Sequence, residues 1–182
     1  MNNLKYKFLI FVLLMLGLGA CQSQPTQLKQ EVGGTDPKNR VLIDTRSSFD
    51  YESFHVSGSI NLNTGDFLIL KNAKTQTRIL DPDVNQIVER LAKKGVSPLK
   101  PVILIGEIKN SFENRKWRWL LKQLDVRDVT TSGLEEFRSQ NNSLVPVPKP
   151  ESMPVWTLEN QIEIRSKSEK CFVNWSDSDC LF

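Results

Sequence analysis

A chain of 182 residues, 39% of them hydrophobic, can bury the core of one ordinary domain. Its formal charge of +3 offers no strong basic field, so nucleic acid is not an expected partner. With one histidine, His55, and three cysteines, Cys21, Cys171 and Cys180, zinc-type spacing is absent and any Ser-His-Asp triad would rest on His55 alone, so neither a metal nor a cofactor is expected.

Lys5 and Lys7 precede about a dozen uncharged, mostly apolar residues, Phe8 to Ala20. A spanning helix needs about 20 such residues, whereas a signal-peptide core needs fewer. The run ends Leu18-Gly19-Ala20-Cys21, which resembles the bacterial lipobox, and this resemblance implies removal of residues 1–20 and lipidation of Cys21. Removing Lys5 and Lys7 leaves 22 basic against 21 acidic residues, close to neutrality. Gln22 follows the cysteine where an aspartate would favour retention at an inner membrane. The expected location is therefore an outer membrane, facing the periplasm, with the membrane itself as partner through the lipid. Residues 21–39 are polar, with Gly33-Gly34 and Pro37, and read as a flexible tether.

The next stretch organises the rest of the chain. Val41-Leu42-Ile43 is an apolar run ending in Asp44-Thr45-Arg46, a short buried strand feeding a loop. Ser47 or Ser48 can cap a short helix over Phe49 to Phe54, with Asp50 and Glu52 near its positive end. Gly58 supplies a backbone conformation with positive φ before Ile60 and Leu62 return to the core. Asp44, Arg46, Tyr51, His55, Gly58, Ile60 and Asn61 match, in order and spacing, the opening signature of rhodanese-like domains. Phe54, Ser57 and Ser59 stand where that signature carries Gly, Pro and Ala.

Phe67-Leu68-Ile69-Leu70 is compatible with either a short helix or a strand. Asp81 to Gly95 is the clearest helix. Asp81 is placed to cap it, Pro82 suits its first position, and Val84, Ile87, Val88 and Leu91 form one apolar face. Gly95 ends it. Val102 to Ile105 is a fully buried strand of the kind found in parallel sheets. Asn110, with Glu113 three residues on, can cap a further helix that carries Trp117, Leu120, Leu121 and Leu124 inward. Lys and Arg residues interleave with tryptophans around 115–122, and a solvated helix face explains them better than stacking on nucleic acid. Asp128 to Thr131 is another strand, and a short helix opens at Ser132-Gly133. Gly133 and Phe137 resemble the Gly and aromatic positions that close the rhodanese pattern.

The expected fold is α/β: a single rhodanese-like domain over residues 40–145, with a small, mainly parallel sheet and helices on both faces, plus a C-terminal extension. In active members of that family the buried strand ends in a nucleophilic cysteine. Backbone N–H groups of the following loop surround the sulfur, and a helix N-terminus lowers its pKa. Here Gly106 stands at that position and no thiol lies between Cys21 and Cys171. The loop Gly106, Glu107, Lys109, Asn110, Ser111, Arg115 therefore reads as a degenerate active-site loop. A gapped alignment puts Glu113 where the family has Arg. The expectation is a noncatalytic, lipid-anchored envelope protein that acts as a binding or structural module, with an envelope protein as the partner class. Two alternatives stand beside it: a sulfurtransferase or redox enzyme using Cys171 or Cys180, and a small-anion binder in which Lys109, Asn110, Ser111, Asn114 and Arg115 form a nest. Asp44 and Arg46 are expected to fix the strand-to-helix turn, and His55 to make a structural hydrogen bond.

Residues 146–182 form the extension. Val145 to Pro150 is a proline-rich connector. Trp156, Leu158, Ile162 and Ile164 alternate with polar residues and predict a half-buried strand, or else a partner surface shared with Trp175. Cys171 and Cys180 in an exported chain predict a disulfide.

Overall fold

The structure, a computed structural model, describes residues 39–141, 148–158, 161–175 and 180, and of residues 161–163 the backbone alone. The lipobox with Cys21, the polar stretch from Gln22 to Lys38, and Val145 to Val147 lie outside the described residues, as does the side chain of Ile162.

Strand β1 (Val41–Asp44) leads through Ser47 into helix α1 (Ser48–Ser53). The Ser47 hydroxyl accepts the N–H of Asp50, as an N-cap should. The chain then forms β2 (Ile60–Asn61), a 3-10 turn (Thr64–Phe67), and the hairpin β3 (Leu68–Asn72) and β4 (Thr77–Leu80). The ambiguous Phe67 to Leu70 run thus divides, its first residue closing a helical turn and the rest opening a strand. Helix α2 (Val84–Lys93), strand β5 (Val102–Gly106), helix α3 (Phe112–Gln123), strand β6 (Val129–Gly133) and helix α4 (Leu134–Gln140) follow. Helix α5 (Gln161–Ser168) runs into a π-helical turn (Glu169–Val173).

Four strands form one sheet in the order β2-β1-β5-β6, every pair parallel. Alternate strand residues face opposite layers, as strand geometry requires. Val41, Ile43, Val102 and Leu104 face the larger core with α2, α3 and the tail. Leu42 and Ile105 face a smaller one, closed by Val56 and by Leu134 and Phe137 of α4. This is the expected α/β fold with a parallel sheet covered on both sides.

Gly58 has φ 77° and Gly95 φ 87°. At Gly95 the N–H bonds Ala92 O (2.9 Å) and the next N–H, from Val96, bonds Leu91 O (3.1 Å), which is a Schellman closure of α2. The same closure ends α3 around Asp125, whose φ is 64°.

Three expectations need correction. The cap of α2 is Asp83, not Asp81: its carboxylate accepts from Asn85 N and Gln86 N, while Asp81 accepts the N–H of Asp83. The cap of α3 is Ser111, whose hydroxyl accepts Asn114 N, not Asn110. In both cases the true cap is the polar residue nearest the apolar stripe. The tail is not a strand. Residues 148–158 cross the ends of α2 and α3 as an irregular strap, and the segment after it is helical. Its buried residues, Ile164, Ser168, Cys171 and Phe172, recur at helical spacing, and that period overrides the short alternation before it.

The strap supplies hydrogen bonds that helix ends lack. Met153 N donates to Ala92 O (2.8 Å), Ser152 Oγ to Lys93 O (3.2 Å), and Trp156 Nε1 to Leu124 O (2.9 Å). Phe172 then meets Trp117 edge-on at 5.3 Å, and Trp117 meets Phe67 the same way at 5.0 Å. Cys171 and Cys180 are joined in a disulfide, both buried. The extension is thus part of the larger core.

Candidate functional site

In a parallel α/β sheet the loops at the C-terminal ends of the strands form the usual ligand site. Here those are the loops after β1 and β5 and the junction of β6 with α4. The β1 loop is held by a buried ion pair. Asp44, fully buried, accepts the backbone N–H and Nε of Arg46 on one oxygen (3.0 and 3.1 Å) and its Nη2 on the other (2.8 Å). The same guanidinium group donates to Phe54 O (2.6 Å), which ties the end of α1 back to the strand. The hydrogen bond and charge of Asp44 raise the Arg46 pKa above its ordinary value. Asn61 donates to Asp44 O and Arg46 O (both 3.0 Å), and Tyr51 OH donates to Ser59 O (2.7 Å). Burial pushes the Tyr51 hydroxyl up. His55 stacks on Tyr51 at 4.1 Å, its Nδ1 is 2.9 Å from Tyr51 O, and the ring is exposed. Among the described residues its hydrogen bond is to a backbone carbonyl, not to a nucleophile.

The loop after β5 closes on itself. Gly106 is buried, and a Cβ there would lie 2.5 Å from Ser111 Oγ, 2.8 Å from Asn114 Nδ2 and 3.0 Å from Ile108 O. Asn114, fully buried on the first turn of α3, fills the hollow. Its Nδ2 donates to Lys109 O (2.9 Å) and Ser132 O (3.3 Å), and its Oδ1 accepts from Thr45 Oγ1 (2.7 Å). One carboxamide thereby binds the loops after β1 and β5 to the end of β6. Thr64 and Glu113 are hydrogen-bonded across the rim, and Glu113 pairs with Lys116 at 3.1 Å.

The residues expected to form an anion nest are turned to other tasks. Lys109 pairs with Glu136 at 3.2 Å, and that hydrogen bond, assisted by the N–H of Gly133, holds the Glu136 carboxyl below its usual range. Thr131 Oγ1 is 3.5 Å from Asn110 Oδ1. Ser111 caps α3. Arg115 lies over the rings of Phe112 (4.5 Å) and Trp175 (5.6 Å). Glu107 is exposed, and Trp117 and Trp119 are both inside the core. Among the described residues no group of three or more His, Cys, Asp and Glu is placed to hold a metal ion.

The family model for the Rhodanese-like domain matches residues 24–140. The chain belongs to the rhodanese-like family. No curated protein matches it. In this rhodanese-like domain the match stops at the last residue of α4, while the strap, α5 and the disulfide beyond it pack into the same core. The rhodanese signature residues Asp44, Arg46, Tyr51, Gly58 and Asn61 build the bracket under the rim, and the position that the resemblance assigns to the nucleophile is Gly106.

Sequence reasoning missed the part played by Thr45 and underrated Asn114. A signal for Asn114 was present. It sits three residues before Trp117 and seven before Leu121, on the inward stripe of α3, and a polar side chain on a buried helix face demands partners.

Proposed function

We propose that this rhodanese-like domain is noncatalytic and serves as a binding or structural module of the bacterial envelope, anchored through a lipid on Cys21 and probed by partners from the periplasm. The observation that carries the reading is the filled hollow at Gly106. A sulfur atom needs the space that Ser111 Oγ and Asn114 Nδ2 occupy, 2.5 and 2.8 Å from any Cβ at that position. Sulfur transfer needs a thiolate ringed by N–H donors in an accessible hollow, and here a neutral carboxamide stands in it.

The rival reading, a relocated thiol, is weakened by the bond between Cys171 and Cys180 and by their burial at 0% and 2% exposure. The anion-binding reading is weakened because Lys109 and Arg115 already engage Glu136 and an aromatic pair. Localisation rests on the lipobox resemblance at Leu18 to Cys21 alone.

Intact mass of the protein purified without reductant, before and after thiosulfate, tests the reading. Two hydrogens fewer than the reduced sum and no added sulfur are expected, together with a diacyl or triacyl increment on Cys21. A gain of one sulfur atom that disappears in Cys171→Ala or Cys180→Ala would make the protein an enzyme. A mature chain with no acyl increment would remove the anchor and leave the noncatalytic reading in place.

A further inference from the structure

Strand β6 is an edge of the parallel sheet, and among the described residues it pairs with β5 alone. That pairing fixes which backbone groups are spent. Val102 N donates to Asp128 O (2.8 Å), and Val102 lies opposite Val129. In a parallel ladder Thr130 and Ser132 therefore turn their N–H and C=O groups toward β5, and Thr131 turns its own outward. Among the described residues nothing meets the outward groups of Thr131. Edge strands are commonly blunted by charge, proline or a bulge. Residues 129–133, Val-Thr-Thr-Ser-Gly, carry no charge and no proline, and their register on β5 runs unbroken.

A cleft of about 410 Å³ lies along this strand, between β6 and α4. Its charged walls are Arg40, Lys109 and Glu136. Lys109 and Glu136 neutralise one another at 3.2 Å. Arg40 is left over. No carboxylate among the described residues lies within ion-pair distance of it, and its Nε is buried without a partner. Its Nη2 donates to Asn141 Oδ1 (3.3 Å), and the guanidinium lies 5.8 Å over the Phe137 ring. These contacts aim the group and leave its charge unmet. A half-buried arginine in that state suits a carboxylate, which it takes with two parallel N–H···O bonds. Arg40 precedes Val41, which is level with Val102 and Val129 at the start of their strands, so the positive end of the cleft is where β6 begins.

We propose that β6 and Arg40 receive the free C-terminus of a peptide, which adds to the sheet as a strand antiparallel to β6. Backbone groups of the peptide bond the N–H and C=O of Thr131. One peptide side chain enters the cleft toward half-buried Ile103, and the terminal carboxylate bonds Arg40. The direction follows from the place of Arg40 at the start of β6. An extended chain advances about 3.3 Å per residue, so the five residues of β6 hold about four residues of peptide. The inference rests on the binding role proposed above and gives it a site and a partner class. It draws on neither the lipid on Cys21 nor the hollow at Gly106.

The test pans the full chain against a synthetic library of N-acetylated tetrapeptides with free carboxylates, and against the same library as C-terminal amides. Retention from the carboxylate library alone is expected. With the best retained peptide bound, exchange of the Thr131 amide should slow, while amides of α2 serve as the internal control. Arg40→Gln should weaken binding about ten- to hundred-fold, the range for a hydrogen bond to a charged group. Thr131→Pro removes the outward N–H and leaves the ladder to β5, a place where edge strands accept proline, and should weaken binding about five-fold. A thermal midpoint identifies a variant that fails to fold, and the exchange reading on the parent needs neither variant. No retention from either library overturns the proposal, as does equal retention of the amides or unchanged exchange at Thr131 with peptide bound. Acetate that displaces the peptide at equal concentration would assign the cleft to small anions and overturn the choice of a peptide. Such failures leave the thiosulfate result untouched, so this inference and the noncatalytic reading fall separately.

Discussion

Replacing Gly106 by alanine separates a filled hollow from an open one by the sign of the effect. Gly106 has no positive φ, so the substitution meets no conformational barrier. In open space Gly106→Ala would stabilise by about 0.4–1 kcal/mol, because the unfolded chain loses freedom. In this structure the new Cβ meets Ser111 Oγ at 2.5 Å and Asn114 Nδ2 at 2.8 Å. Ser111 is the cap of α3, and Asn114 is fully buried with bonds to Thr45, Lys109 and Ser132, so neither can swing aside freely. Overpacking costs about 1–3 kcal/mol, and weakening one buried polar bond adds about 1 kcal/mol or more. The expected loss is about 2–4 kcal/mol, read as a drop of about 1–2 M in the urea midpoint at an m value of about 2 kcal/mol/M. Ser111→Ala alone should cost about 1 kcal/mol as a lost cap. Combined with Gly106→Ala it should recover at least about 1 kcal/mol of coupling, because the nearest clashing atom is gone. Gly106→Ala at or above parental stability would refute the reasoning and reopen the hollow as a site.

Ending the chain after Asn141 should abolish cooperative unfolding: Leu158, Ile164 and Phe172 are each buried in the larger core, and at about 1.5–3 kcal/mol apiece they supply as much as the net stability of many domains. Dye binding and near-UV dichroism read this, and an unchanged midpoint in the truncated chain would show the tail to be dispensable. Reducing the Cys171–Cys180 bond, which spans a sequence separation of 9, should lower stability by about 2.5–3 kcal/mol in a denaturant titration with and without reductant; no change would mean that the bond constrains nothing. Asp125→Gly should stabilise by up to about 1 kcal/mol, since φ is 64° there, whereas Gly95→Ala, with φ 87° and Pro150 Cβ 2.5 Å away, should destabilise and free the strap; equal effects of the two would contradict the Schellman assignment. The Glu136 carboxyl, held low by Lys109, should titrate below the ordinary glutamate value of about 4.3, so its stabilising contribution is complete above that pH and is lost as pH falls through the native value; Lys109→Met should move the titration upward in carbon-detected NMR, and an unmoved titration would deny the pair.

The legible parts of this fold are those in which local pattern and tertiary role agree. Val41 to Asp44 and Val102 to Ile105 are short apolar runs with no helical length, and the sheet needed strands buried on both faces. The Val84 to Leu91 stripe, the positive φ at Gly58 and the helix end at Gly95 were equally direct. The caps were displaced by one or two residues, because Asp81 and Asn110 are good caps and only the register of the buried stripe selects Asp83 and Ser111. The tail misled for a different reason. Trp156 and Leu158 are covered and Thr157 is exposed because an irregular strap touches the domain at intervals without forming a strand, and Trp156 spends its N–H on the end of α3. At the site, the absence of a thiol was plain from the sequence, but the plug was not, since it depends on Thr45 after β1, Asn114 on α3 and Ser132 on β6 meeting in space.

The Asn114 amide also accounts for the polar groups that converge at the rim. Parallel strands ending at one rim leave backbone carbonyls and N–H groups converging on a hollow, and such groups must find partners. An anionic sulfur would satisfy donors. A carboxamide satisfies both kinds, and Asn114 gives its two N–H bonds to carbonyls while taking a hydroxyl proton from Thr45. The positive residues nearby are engaged elsewhere, Lys109 with Glu136 and Arg115 over Phe112 and Trp175. A side chain at Gly106 would collide with the amide that closes the rim. The same contact supports the noncatalytic reading proposed above, because an amide held by the β1 loop, the β5 loop and β6 closes the position that the resemblance assigns to the nucleophile.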